Sequence, residues 1–203
     1  MRGLDCVIES GTTVGLIGSN GAGKTTLLRV IAGVLEPDEG RVCVEGRIGS
    51  LLSTGAGLMP RLTGRENAVL LGVLAGLRKQ TVRASLDQIR HRSELDGAFD
   101  RPVSTYSQGM RARLGFAVIE QTDPDILLLD EVHEAIDGDY RGRVEQFAQA
   151  LRRRGGIVVA AGHDHHELQR LCDRALRLDH SSLEVVADWQ APREPATPAG
   201  VLR

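Results

Sequence analysis

Gly18, Ser19, Asn20, Gly21, Ala22, Gly23, Lys24 and Thr25 fit the pattern G-x-x-x-x-G-K-[ST] without a mismatch. In such a loop the glycines let the backbone wrap close to a polyphosphate, and the loop N–H groups then face its oxygens. Lys24 would reach the β- and γ-phosphates, and the Thr25 hydroxyl would face Mg²⁺. A second group able to do chemistry is the pair Asp130 and Glu131, which closes the apolar run from Ile126. A carboxylate at such a strand end helps hold Mg²⁺, and one a residue later can polarise the water that attacks a γ-phosphate. Read alone, the pair is equally a charged strand end. A third is Ser107, Gln108 and Gly109 ahead of a helical pattern, either a second phosphate-binding N-terminus or a plain helix cap. His163 follows another apolar run and could hydrogen-bond a γ-phosphate.

Positioning these groups requires an α/β chain. Residues 13–17 read as a buried strand and residues 25–32 as a helix stopped by Gly33, the context that a phosphate loop needs. Residues 125–130 and 156–161 are continuous apolar runs, the pattern of buried parallel strands. Strands are also expected over 41–45 and 47–52, with 176–178 and 183–186 pairing around His180. Helical spacing covers 66–77, 82–90, 109–120, 142–153 and 167–174. From residue 190 onward, three prolines and little apolar content suggest a disordered tail.

Composition narrows the class. The 203 residues suffice for one α/β domain. Net charge is −2, without the overall basic field that favours nucleic acid, and no nucleic-acid partner is expected. Arg152, Arg153 and Arg154 read as a solvated helix end. Cys6, Cys43 and Cys172 have neither metal spacing nor a disulfide pattern, which fits a reducing cytoplasm. Met1 to Asp5 lacks the apolar core of a leader, and the longest apolar stretch, residues 68–77, is half a membrane span. His163, His165 and His166 invite a metal site, but consecutive histidines rarely meet one ion; the last two read as a solvated helix start. Cys172 reads as a small core residue, Trp189 as a lid on the domain and Tyr106 as partly buried.

In order and kind, these motifs resemble the nucleotide-binding domain of ABC transporters, over about residues 4–187. The resemblance implies a phosphate-loop NTPase fold of the ABC ATPase type: a mostly parallel sheet flanked by helices, with an antiparallel β edge and a small helical insert near residues 60–120. The domain would occupy residues 1–189. It matches Walker A to residues 18–25, with Thr26 continuing it, and the signature motif to residues 106–110. Walker B falls on residues 126–130, with Asp130 and Thr25 at Mg²⁺. Glu131 takes the catalytic glutamate position, Asp137 the D-loop and His163 the switch histidine. Finer features, in residues 52–57, 62–67, 102–107 and 171–175, resemble the branch that exports polysaccharide, O-antigen and teichoic acid. The implied mechanism is a head-to-tail homodimer trapping ATP, with Ser107 and Gly109 acting across the seam. A separate membrane-spanning permease subunit would hold the chain at the cytoplasmic face of the inner membrane, with its coupling helix in a groove near Ser53.

The chain departs from the family in four places. Only 17 residues precede Gly18 and none of residues 1–98 is Phe, Tyr or Trp, so a first strand and an adenine-stacking ring are expected to be missing. Such a stack is worth about 1–3 kcal/mol by analogy with bases on aromatic platforms. Ser53 and Thr54 stand where the family has its Q-loop glutamine. Gln108 replaces a small signature residue, and His133 and Glu134 add charge beside the D-loop. Two other expectations compete with the exporter subunit: a degenerate ATP-binding module, and a soluble ABC ATPase that works outside transport.

Overall fold

The computed structural model describes residues 4–53, 55, 57–131, 136, 138–179 and 182–189. The chain divides into two compact units: residues 1–52, 124–131 and 142–203, and residues 53–123 with 132–141.

The first unit is built on a six-stranded sheet ordered β2-β3-β4-β1-β5-β6. The strands are β1 (Thr13–Ile17), β2 (Ile48–Leu51), β3 (Ile126–Asp130), β4 (Ile157–Ala161), β5 (Arg174–Asp179) and β6 (Ser182–Asp188). The pairs β2–β3, β3–β4, β4–β1 and β1–β5 are parallel, and β5–β6 closes one edge antiparallel. β1, β3 and β4 are buried at every position, because a parallel strand in mid-sheet has both faces covered. Helix α1 (Lys24–Ile31) packs Leu28 and Ile31 into a core with Val14, Leu16, Ile126, Leu128, Val159 and Ala161.

The second unit is helical: α2 (Gly64–Leu74), α3 (Lys79–Ala84), α4 (Leu86–Ser93) and α5 (Gln108–Thr122). Its core gathers Ala68, Val82, Ile89, Phe99, Val103, Tyr106, Leu114 and Val118. Helix α6 (Gly138–Arg153) starts here and runs on into the first unit, and α7 (His165–Leu171) lies wholly in the first. Among the described residues, no helix is long and apolar enough to cross a membrane.

Several expectations shift. Residues 41–45 form no strand; only Val44 makes an isolated bridge. Residues 82–90 are not one helix: Ser85 ends α3, its N–H donating back to Thr81 and Val82, and α4 restarts at Leu86. The helix expected over 167–174 ends at Leu171, because Asp173 and Arg174 are drawn into the sheet. Tyr106, expected to be partly buried, is buried, and its hydroxyl donates to Ala98 O at 2.7 Å. The expectation for Cys172 holds: it is buried as a small core residue, and burial pushes its thiol pKa upward. The Trp189 indole lies over Gly15, beside Leu168, as a lid would.

Candidate functional site

Register explains how distant residues meet. Leu16 of β1 sits opposite Ala161 of β4, and Asp130 of β3 also sits opposite Ala161. Three strands therefore end side by side, and the residues that follow them emerge at one rim: Gly18 after β1, Glu131 after β3 and His163 after β4. β1 lies between β4 and β5, and such carboxyl-end rims are where open α/β sheets bind ligands.

The phosphate loop is held by its own geometry. Gly18 cannot carry a side chain, since a Cβ there would fall inside the carbonyl oxygen of Leu178. Gly23 caps α1 at φ 104°, a left-handed conformation that strains other residues, and contributes no side-chain cap. The first N–H groups of α1 thus have neither an intrahelical acceptor nor a capping oxygen and face the rim with the positive end of the helix dipole. Lys24 is buried, and its Nζ donates to Gly18 O at 2.8 Å and Ser19 O at 3.1 Å. These bonds fold the ammonium back across the loop instead of letting it extend into water. Ala22 is buried beneath the loop, its N–H donating to Ser19 O.

At the β3 end Asp130 is buried and accepts a hydrogen bond from the Thr25 side chain. Burial raises its pKa above the ordinary aspartate range, and the Glu131 charge adds to this; Thr25, Arg29 and Lys24 pull the other way. A hydroxyl and a carboxylate side by side are hard oxygen donors of the kind that Mg²⁺ prefers. Glu131 has left the strand. Its φ of 53° is unusual for a residue with a side chain, and its N–H donates to Ala161 O at 2.9 Å. That turn brings Glu131 Oε1 to 2.6 Å from His163 Nε2. Both side chains remain about half exposed. Asn20, Gly21, Gly23, Lys24, Thr25, Thr26, Glu131 and His163 line one open cleft of about 340 Å³.

The remaining candidates are elsewhere. Ser107, Gln108 and Gly109 belong to the second unit, where the Ser107 hydroxyl caps α5 by accepting from Met110 N–H at 3.2 Å. Ser107 and Gln108 are exposed, so the bulk of Gln108 disturbs nothing within that unit. Ser53 is exposed and accepts a bond from Gly55 N–H. Thr54, His133, Glu134, Asp137, His180 and residues 190–203 lie outside the described residues. His165 and His166 stand exposed at the start of α7, capped by Asp164, and no metal-binding group of three or more His, Cys, Asp or Glu occurs among the described residues.

The structural roles of three residues, Asp173, Arg152 and Arg154, went unread in the sequence. Asp173 is buried, accepts from the Thr13 hydroxyl at 2.7 Å and pairs with Arg152 at 2.8 Å. Arg152 also donates to Gly11 O, and Arg154 donates to Pro124 O at 2.7 Å. The arginine run does end a helix in solvent, with Arg153 and Arg154 exposed, but it is not a bystander there. Two of its three members tie the end of α6 to the entry of β1 and of β3, and no local pattern in the run signals those partners.

A family model described as "ABC transporter" matches residues 1–134. The chain is 40% identical over 179 residues to the O-antigen export system ATP-binding protein RfbB of Klebsiella pneumoniae, covering 88% of this chain and 73% of that protein. It is 34% identical over 188 residues to the teichoic acids export ATP-binding protein TagH of Enterococcus faecalis, covering 93% of this chain but only 42% of that one. Among solved structures, a post-hydrolysis dimer of the ATP-binding cassette MJ0796 bound to ADP and Pi superposes with a TM-score of 0.76 at 21% identity, covering 91% of this chain and 88% of that chain. At that identity the match concerns the fold: an ABC ATPase domain.

Proposed function

The chain belongs to the ABC transporter family, and from that premise we propose that it binds and hydrolyses ATP to power export of a polysaccharide or lipid-linked glycan. The observation that carries the reading is the cleft at the strand ends, where a gripped Lys24, the Thr25–Asp130 pair and the Glu131–His163 pair converge within one unit. The names of the relatives that export O-antigen and teichoic acids support the cargo class.

In this reading the N–H groups from Gly18 to Thr26 bind the phosphates, and Lys24 exchanges its two carbonyl partners for phosphate oxygens. Thr25 and Asp130 would hold Mg²⁺, which would neutralise charge developing on the γ-phosphoryl group. Glu131 accepts the proton of the attacking water, and His163, hydrogen-bonded to it, fixes the carboxylate's orientation. Ser107 and Gly109 complete the site of a second copy of the chain in a head-to-tail dimer, with Asp137 at the seam. The partner is a separate membrane-spanning permease subunit, and the chain works at the inner face of the membrane through it. The segment around Ser53 and Thr54 would meet that partner.

The test is the solution mass of Glu131→Gln with Mg-ATP, by light scattering on a sizing column. The substitution keeps charge-independent hydrogen bonding and removes the base, so a nucleotide-bound dimer should accumulate, and Ser107→Arg should abolish it. A protein that neither binds ATP nor self-associates at saturating Mg-ATP would sink the proposal.

A further inference from the structure

The far end of α2 presents an apolar corner beside a row of cations. Gly76, at φ 89°, turns the chain, its N–H donating to Val73 O at 3.0 Å, while Leu77 N–H donates to Gly72 O at 2.9 Å. These bonds satisfy the last carbonyls of the helix. They leave Val73 43% and Leu74 68% exposed. A lone exposed leucine needs no explanation; here the surroundings do. Behind the corner α3 is pressed close, because Gly72 offers Val82 a seat where a Cβ would come within 2.6 Å of Cγ2. From the start of that short helix Arg78, Lys79 and Arg83 stand in solvent. No carboxylate occurs between Glu66 and Asp87. Among the described residues, none of the three cations takes part in an ion pair. In a chain of net charge −2 this is a local concentration of positive charge without internal compensation.

We propose that this corner docks on the anionic headgroup layer of a phospholipid bilayer, with Val73 and Leu74 entering the interface and Arg78, Lys79 and Arg83 meeting lipid phosphates. Aliphatic tips with a basic collar match both parts of such a surface, apolar below and anionic above. Single-stranded nucleic acid fits less well, since none of residues 1–98 is Phe, Tyr or Trp, the rings on which bases stack best. The contact lies wholly on the helical unit and does not depend on the ATP reading.

The experiment is flotation of the full chain with vesicles of equal parts phosphatidylglycerol and phosphatidylcholine, and with phosphatidylcholine alone. Binding is expected only to the anionic vesicles and should weaken with salt. Arg78→Gln, Lys79→Gln and Arg83→Gln together should lower partition about a hundredfold, near fivefold for each cation. Leu74→Ser should lower it about tenfold. All four positions are on the surface, so Mg-ATP binding measured on the same samples should be unchanged; its loss in the unmodified chain would count against the ATPase reading and not against this one. The proposal is overturned if the unmodified chain does not float, or if the triple variant floats equally well. It is also overturned if glycerol phosphate displaces the protein, which would assign the cations to a free phosphate, or if polyglutamate or single-stranded RNA binds the corner while vesicles do not.

Discussion

Asp173 illustrates how much a single carboxylate can hold. It joins the start of β1 through Thr13 to the end of α6 through Arg152, and its own backbone N–H donates to Thr13 O. Replacing it by Ala leaves the Arg152 guanidinium and the Thr13 hydroxyl without this acceptor in a largely dry place. Removing one partner of a buried pair typically destabilises by 3–5 kcal/mol. Arg152 keeps partial access to water, so we expect about 3 kcal/mol for Asp173→Ala in urea unfolding, with Asp173→Asn recovering part of it. The loss reaches the phosphate loop only indirectly, since β1 leads into it. Glu131 and His163 carry a different kind of information. Their 2.6 Å contact is made on an exposed rim, where a hydrogen bond contributes little to folding.

At the scale of elements, the segment from Thr63 to Asn67 shows a motif accounted for by structure residue by residue. Thr63 caps α2 and Glu66 closes the capping box. Arg65 pairs with Asp100 and lies over the Phe99 ring. Asn67 is fully buried and exchanges hydrogen bonds with Met59, Leu62 and Thr63. Thr63→Ala should cost about 1 kcal/mol of stability. The bonds from Thr63 hold the Glu66 carboxyl below the usual glutamate range, and Arg65 does the same for Asp100. A depressed folded pKa gives stability that is present above the unfolded value and lost as pH falls through the folded one. Acid unfolding should therefore steepen below about pH 4, and should be shallower in Thr63→Ala; parallel pH curves of the two proteins would refute this. Gly64 is equally constrained, because a Cβ there would run into the Tyr106 hydroxyl and stand 2.9 Å from Phe99 O. Gly64→Ala should destabilise by about 2 kcal/mol. Adding Tyr106→Phe should restore part of that, since it removes the atom most nearly in the way; if the double variant is worse by the full sum of both changes, the clash is elsewhere.

For the whole molecule, the testable link is between ligand and stability. A ligand that binds only the folded chain raises stability by about 2.7 kcal/mol at a hundredfold excess over its Kd. Mg-ATP should therefore raise the melting temperature of the chain, and a chelator should remove most of that gain while leaving the nucleotide-free melting temperature unchanged. A chelator effect in the absence of nucleotide would mean that a metal supports the fold itself, against the donor set read at Thr25 and Asp130. The same measurement on Glu131→Gln should show a gain at least as large, because that variant would retain nucleotide without turning it over.

The sequence alone determined whatever depends on neighbours along the chain. Lys24 and Thr25 follow a glycine-rich turn between a strand and a helix, and that local order reads directly as a phosphate loop. The apolar runs at 126–130 and 156–161 likewise read as buried strands, since two covered faces leave no polar alternation. Only tertiary structure decided the rest. That Asp130 lies against Thr25, that Glu131 meets His163, and that Asp173 is held by Thr13 and Arg152 all depend on parallel register between strands far apart in sequence and on where α1 and α6 place Thr25 and Arg152. Residues 41–45 show the converse. Alternating residues there offered a strand, but strand pairing needs a partner edge, and among the described residues only Val44 makes a bridge. Local pattern states what a segment can become, and hydrogen-bond partners supplied by the rest of the chain decide what it is.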